Sequence, residues 1–120
     1  MATEQTQDHQ VLESLQILGV ALLSEWDALT FLYRHPASLV TAAQIARLMG
    51  YDKAQIGDAL HRLEALGMLR RSRVSQGRRL YQFSEPLEPR RNSHLRELMS
   101  LSQNRAGRVL LLKQLKGPPP

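Results

Sequence analysis

Two helix-start signals in quick succession, each closed by a glycine, constrain this chain more than any other feature of it. Thr41 followed by Gln44 is a capping-box pattern, in which a short oxygen-bearing side chain and an amide three residues later satisfy the orphan N–H groups of a helix start. Gly50 then supplies a stop, and the pattern predicts a helix over about 41–49. Asp52 with Gln55 repeats the start and Gly67 repeats the stop, which predicts a second helix over 53–66. Only Gly50 and Tyr51 lie between the first helix and the Asp52 cap of the second. So short a connection does not let helices run side by side as a long hairpin, so they must cross steeply, as in a helix-turn-helix.

Along the second helix Ile56, Ala59, Leu60, Leu63 and Leu66 recur at helical spacing and form a stripe that must face a core. The opposite arc carries Ala54, Asp58, His61 and Ala65, with Lys53, Gln55, Gly57 and Arg62 on its flanks. Small and polar side chains there let a helix approach the floor of a DNA major groove, its N-terminal half near base edges. Gln55, His61 and Arg62 are the candidates for base contact. Asp58 works against this arrangement, because phosphate repels a carboxylate, although a cytosine amino group can donate to one.

After Gly67 the period changes. The run 68–74, the tip Ser75-Gln76-Gly77 and the run 78–83 predict a β-hairpin over 68–83. It holds Arg70, Arg71, Arg73, Arg78 and Arg79 without one acidic residue. Like charges on neighbouring strands repel, so the arginines do not serve the hairpin itself. Contact with a polyanion accounts for them, placing these arginines and Lys53 on phosphates or in the minor groove. The alternative is a solvated edge that uses charge against aggregation. Leu39 and Val40 are placed to add a short strand beside this hairpin. The expected fold class is mainly α with a small β-hairpin (α+β), a winged helix-turn-helix with N- and C-terminal helices for dimerisation.

The run 67–83, GMLRRSRVSQGRRLYQF, resembles the end of the recognition helix and the wing of ArsR-type repressors through Gly67-Met68-Leu69 and Gly77-Arg78-Arg79-Leu80-Tyr81. Upstream, SEWDALTFLYRHP and TAAQIARLMGYDKAQIGDALHRLEALG are similar to both the ArsR and the MarR groups of bacterial winged-helix regulators. The resemblance covers about half of the chain and implies a DNA-binding transcriptional regulator acting as a homodimer. Two departures stand out. ArsR metal sensors commonly bind metal through cysteines, and this chain has none; MarR-type wings typically carry an Asp-x-Arg turn, where this one has Ser75-Gln76-Gly77-Arg78.

Charge is distributed in keeping with a nucleic-acid partner. The net charge of +5 conceals a division at Arg34: no Lys or Arg precedes it, whereas Glu4, Asp8, Glu13, Glu25 and Asp27 do. All 16 basic residues and the remaining 6 of 11 acidic ones follow, a local balance of +10. Double-stranded DNA is therefore the expected partner. No uninterrupted apolar run is long enough to span a bilayer, and the polar, acidic residues 1–9 do not resemble a signal peptide, so no membrane association and a cytoplasmic location are expected.

With 120 residues, a single domain is expected, with the winged-helix core at 24–83. Over 8–23, Val11, Leu15, Leu18 and Leu22 share one helical seam, with Gly19 permitting a close neighbour. Ser24 with Asp27 reads as a further capping box, opening a helix that buries Trp26, Leu29, Leu32 and Tyr33 and stops at Pro36. Pro86 and Pro89 interrupt the chain before a long helix over 90–115, with Gly107 as a candidate break and 116–120 as a frayed tail. Its apolar stripe needs a partner surface: a second copy of the chain, or its own domain folded back beneath it.

Chemistry is not indicated. His9, His35, His61 and His94 are dispersed rather than set at ligand spacing, and without cysteine there is neither a thiolate metal site nor a Cys/His nucleophile. There is no phosphate-cradling glycine motif and no Gly-x-Ser-x-Gly. No enzyme activity, no cofactor and no metal are expected. A competing reading from another class is a winged-helix protein-interaction module with weak or unspecific DNA affinity, suggested by Asp58 and the acidic N-terminal region.

Overall fold

The computed structural model describes residues 2–117 apart from Arg73 and Ser75. In chain order its elements are α1 (Ala2–Leu18), α2 (Leu23–Arg34), α3 (Ala42–Met49), α4 (Lys53–Ala65), β1 (Leu69–Arg71), β2 (Tyr81–Phe83), α5 (Pro89–Leu101) and α6 (Arg105–Gln114). They fall into two compact units, Met1–Leu23 with Leu87–Pro120, and Ser24–Pro86.

In the unit Ser24–Pro86 both capping boxes form as the sequence predicts. Thr41 and Gln44 exchange bonds of 2.8 and 3.1 Å, Asp52 and Gln55 bonds of 3.3 and 2.8 Å. Gly50 ends α3 at φ +78°, and Gly67 follows α4 at φ +78°, a left-handed conformation that costs glycine little. The stripe of α4 is buried at Ile56, Ala59, Leu60 and Leu63, and these share the unit's core with Trp26, Leu29, Leu32, Ile45 and Met68. Burying a leucine- or isoleucine-sized side chain contributes about 1.5–3 kcal/mol, which is why so short a helix as α3 persists.

The hairpin is antiparallel, with Leu69 opposite Phe83, Arg70 opposite Gln82 and Arg71 opposite Tyr81. Its regular strands are shorter than the runs 68–74 and 78–83; beyond them Ser72 N–H donates to the Leu80 carbonyl at 2.8 Å, and Gln76 and Gly77 take φ of +53° and +75°. The expected strand at Leu39–Val40 is reduced to one antiparallel bridge, Val40 exchanging bonds of 3.1 and 2.7 Å with Tyr81. Tyr33 and Phe83 meet edge to face at 5.2 Å between ring centres.

Ser24 does not cap α2. The helix starts at Leu23, whose N–H donates to the Lys116 carbonyl at 2.8 Å, and Asp27 is instead an acceptor for Tyr51.

In the other unit, α1 ends earlier than the expected 8–23, at Leu18. Gly19, at φ +88°, turns the chain so that its N–H and that of Val20 both reach the Leu15 carbonyl, at 2.8 and 3.0 Å. Val11, Leu15 and Leu18 are buried as the seam requires, but Leu22 leaves it and lies on a parallel bridge with Lys116. That bridge also corrects the reading of 116–120 as a tail: Lys116 is held, while 118–120 lie outside the described residues.

The long helix over 90–115 is two helices. The break falls at 102–104, where Asn104 Oδ1 accepts from the Gly107 N–H at 2.7 Å and restarts the chain as α6. Gly107 lies inside α6, and its role is close approach: a Cβ there would overlap the Leu101 carbonyl, whose carbon would be 2.7 Å away. Both α5 and α6 pack on α1, tied by Ser14 Oγ with His94 Nδ1 at 2.9 Å and by Arg91 Nη2 donating to the Leu18 carbonyl at 3.0 Å. The C-terminal segment is thus folded back on its own chain, while Val109 and Leu112 of α6 stay 47% and 53% exposed.

Candidate nucleic-acid interface

Because Ile45 and Ala46 of α3 and the stripe of α4 are drawn into the core, the polar faces of both helices are left outward. On α4 the whole predicted arc is exposed: Ala54, Asp58, His61 and Ala65, with Lys53 and Arg62 beside it and Gln55 half-buried. The starts of α3 and α4 and the returning arm of the hairpin together border an open groove of about 600 Å³. Lys53, Arg78 and Arg79 line it, together with Gln44 and Arg47 of α3, and no Asp or Glu does so among the described residues.

Electrostatically this is a concentrated positive concavity. Arg79 Nε is shielded from solvent and has no hydrogen-bond partner among the described residues. A buried N–H left in that state costs about 1–3 kcal/mol, which an anionic oxygen in the groove would relieve. The Thr41 and Asp52 capping boxes fix both helix starts that border the groove, and helix starts favour negative charge.

Not every expected contact residue is equally available. Arg71 Nε is paired with Glu64 Oε2 at 2.8 Å, so its charge is largely matched within the chain. Arg70 is exposed on β1 opposite Gln82 but does not line the groove. Arg73 lies outside the described residues. Gln55 Oε1 accepts from the Asp52 N–H, so only its amino group is left to donate; bidentate adenine recognition would break the cap. Sequence reasoning missed Gln44 and Arg47. The signal was present, since the core positions Ile45 and Ala46 leave Gln44 and Arg47 on the solvent side of α3.

One polar contact ties the turn between α3 and α4 to α2. The Tyr51 hydroxyl donates to Asp27 Oδ2 at 2.6 Å, and burial together with the Asp27 carboxylate pushes the phenol well above the usual tyrosine range. Among the described residues no three His, Asp or Glu side chains come together as a metal site, and no helix is long and apolar enough to cross a membrane.

Two helices joined by a tight turn, an outward second helix and a basic hairpin define a winged helix-turn-helix protein. The sequence model of the MarR family matches residues 18–80, just over half of the chain, and the chain belongs to that family of winged-helix transcriptional regulators, which are not enzymes. No curated protein sequence matches it. Among solved structures it is similar to a mutant of S. aureus MepR bound to an oligodeoxyribonucleotide, at 15% identity and a TM-score of 0.61, covering 96% of this chain and 80% of that one.

Proposed function

We propose that the protein is a homodimeric, sequence-specific DNA-binding transcriptional regulator in which α4 enters the major groove and the wing lies on the backbone or in the minor groove. The observation that carries this reading is the groove lined by Arg47, Lys53, Arg78 and Arg79 beside the starts of α3 and α4, with no acidic side chain lining it among the described residues. A phosphodiester there meets several cations and the orphan Arg79 Nε at once. His61 and Arg62 on the exposed face of α4 then face base edges, and the Gln55 amino group can donate from the same side. The MepR structure, an oligonucleotide complex on a similar fold, is in keeping with this.

Homodimerisation is supported by α6. Val109 and Leu112 are exposed beside a hollow of about 590 Å³ bordered by Ala106, Val109, Leu110 and Lys113, an apolar surface that a second copy would cover. Two copies related by a two-fold axis would read half-sites about one helical turn apart, so the operator is pseudo-palindromic.

The experiment is selection from a genomic DNA fragment pool at near-physiological salt, with a random duplex as control. Enrichment of a pseudo-palindrome supports the proposal; retention without enrichment removes the specific reading. Asp58, exposed on the recognition arc, is the observation behind the rival reading of a protein-interaction module, which absence of retention would favour.

A further inference from the structure

Tyr51 joins three helices of the unit Ser24–Pro86. Its backbone N–H donates to the Ala46 carbonyl of α3 at 3.0 Å, its hydroxyl donates to Asp27 Oδ2 of α2 at 2.6 Å, and the next residue, Asp52, is the N-cap of α4. The turn between α3 and α4 consists of Gly50, Tyr51 and the cap residue Asp52. Gly50, at φ +78°, also donates to the Ala46 carbonyl, at 2.9 Å, so the backbone bonds of the turn fix it to α3. The phenol fixes it to α2. At 2.6 Å this bond has the length of a charge-assisted O–H···O⁻ contact, the stronger and more directional kind.

Such a bond at the root of α4 governs where the helix points. Base readout depends on donor–acceptor distances near 2.9 Å and on angles that weaken steeply with misalignment, whereas attraction to phosphate is long-ranged and tolerant of small shifts. We infer that the Tyr51–Asp27 contact is a positioning device that sets the placement of the α4 N-terminus and thereby the sequence preference of the protein, leaving its general affinity for DNA to the groove and the wing. This rests on the DNA-reading role proposed above. Neither residue need touch DNA: both are half-buried, and Tyr51 and Asp27 act through the helix they anchor.

The test uses the full chain, the duplex enriched from the genomic pool and a random duplex of equal length. Tyr51→Phe keeps the ring and removes the hydroxyl; Asp27→Ala removes the acceptor; Asp27→Asn restores an acceptor oxygen. Tyr51→Phe and Asp27→Ala are each expected to weaken binding to the enriched duplex about tenfold, leaving random-duplex affinity and the salt slope as in the wild type. The double variant should be no worse than either single one, and Asp27→Asn should recover most of the preference. Since the bond is read from both ends, one poorly folding variant does not disable the test. Equal losses on both duplexes would reduce the contact to a stabilising one and overturn the inference, as would unchanged preference in Tyr51→Phe. A wild type that prefers no duplex overturns the proposed function together with the inference; a preference that survives both substitutions overturns the inference alone.

Discussion

Glu64 of α4 and Arg71 of β1 form an ion pair, Arg71 Nε lying 2.8 Å from Glu64 Oε2, with side-chain exposures of 29% and 44%. So exposed a pair contributes no more than about 1 kcal/mol, but it separates Arg71, whose charge is matched inside the chain, from Arg78 and Arg79, which line the groove. Arg78→Ala should lower the slope of log affinity against log salt by about 1, the loss of one phosphate contact. Arg71→Ala should lower it markedly less. Salt titrations of both variants on a random duplex check this, and equal losses would mean that Glu64 does not withhold Arg71 from DNA.

Gln55 serves a helix cap and lies beside the recognition arc, and the two roles separate by substitution. Asp52→Ala removes the cap acceptor and should cost about 1 kcal/mol, seen as a fall of roughly 5 °C in thermal midpoint. Gln55→Glu preserves the box geometry and should leave the midpoint close to wild type while weakening DNA binding through its added negative charge. Gln55→Ala should lower both. A Glu variant that binds DNA as tightly as the wild type would remove Gln55 from the interface.

The glycines at 107 and 57 make opposite predictions from one substitution. Gly107→Ala drives a Cβ into the Leu101 carbonyl and should destabilise by about 2 kcal/mol or more, as overpacking against backbone does. At Gly57, inside α4, a Cβ meets nothing within 4 Å. Gly57→Ala should therefore stabilise by about 0.5–1 kcal/mol through helix propensity. Chemical denaturation of the two variants decides it, and a neutral Gly107→Ala would contradict the close approach of α6 to Leu101.

The Tyr51 phenol titrates above its ordinary value, held protonated by burial and by Asp27. A group whose folded pKa is raised stabilises fully below the unfolded value and loses that contribution as pH rises through the folded one. The unfolding free-energy difference between wild type and Tyr51→Phe should therefore be flat from about pH 6 to about pH 9 and decline only above about pH 10. Urea unfolding from about pH 6 to about pH 11 measures it; a difference that stays flat above about pH 10 would show that the folded state does not hold the hydroxyl protonated.

The winged core was legible because its signals are local. A capping box is complete within four residues, a left-handed glycine within one, and the stripe of α4 within four turns, so Thr41, Gly50, Asp52, Gly67 and the buried face of α4 follow from neighbours in the chain. The ends of the chain were less legible for the same reason. Gly19 and Asn104 carried weaker stop and start signals than the apolar spacing on either side of them, so that spacing carried the first helix past its end at Leu18 and ran the last two helices together.

Local order was enough to specify two capped helices, a short turn and a basic hairpin, because hydrogen-bond satisfaction and helical periodicity operate over a few residues. Which charges are matched and which reach the groove depends on packing. Arg71 is matched by Glu64, Asp27 is turned from a presumed capping partner into the acceptor for Tyr51, Leu23 takes its carbonyl from Lys116, and Arg47 joins Arg78 and Arg79 at one groove. These pairings join residues that are distant or sit on different elements, and packing of the cores, not local preference, brings them within reach.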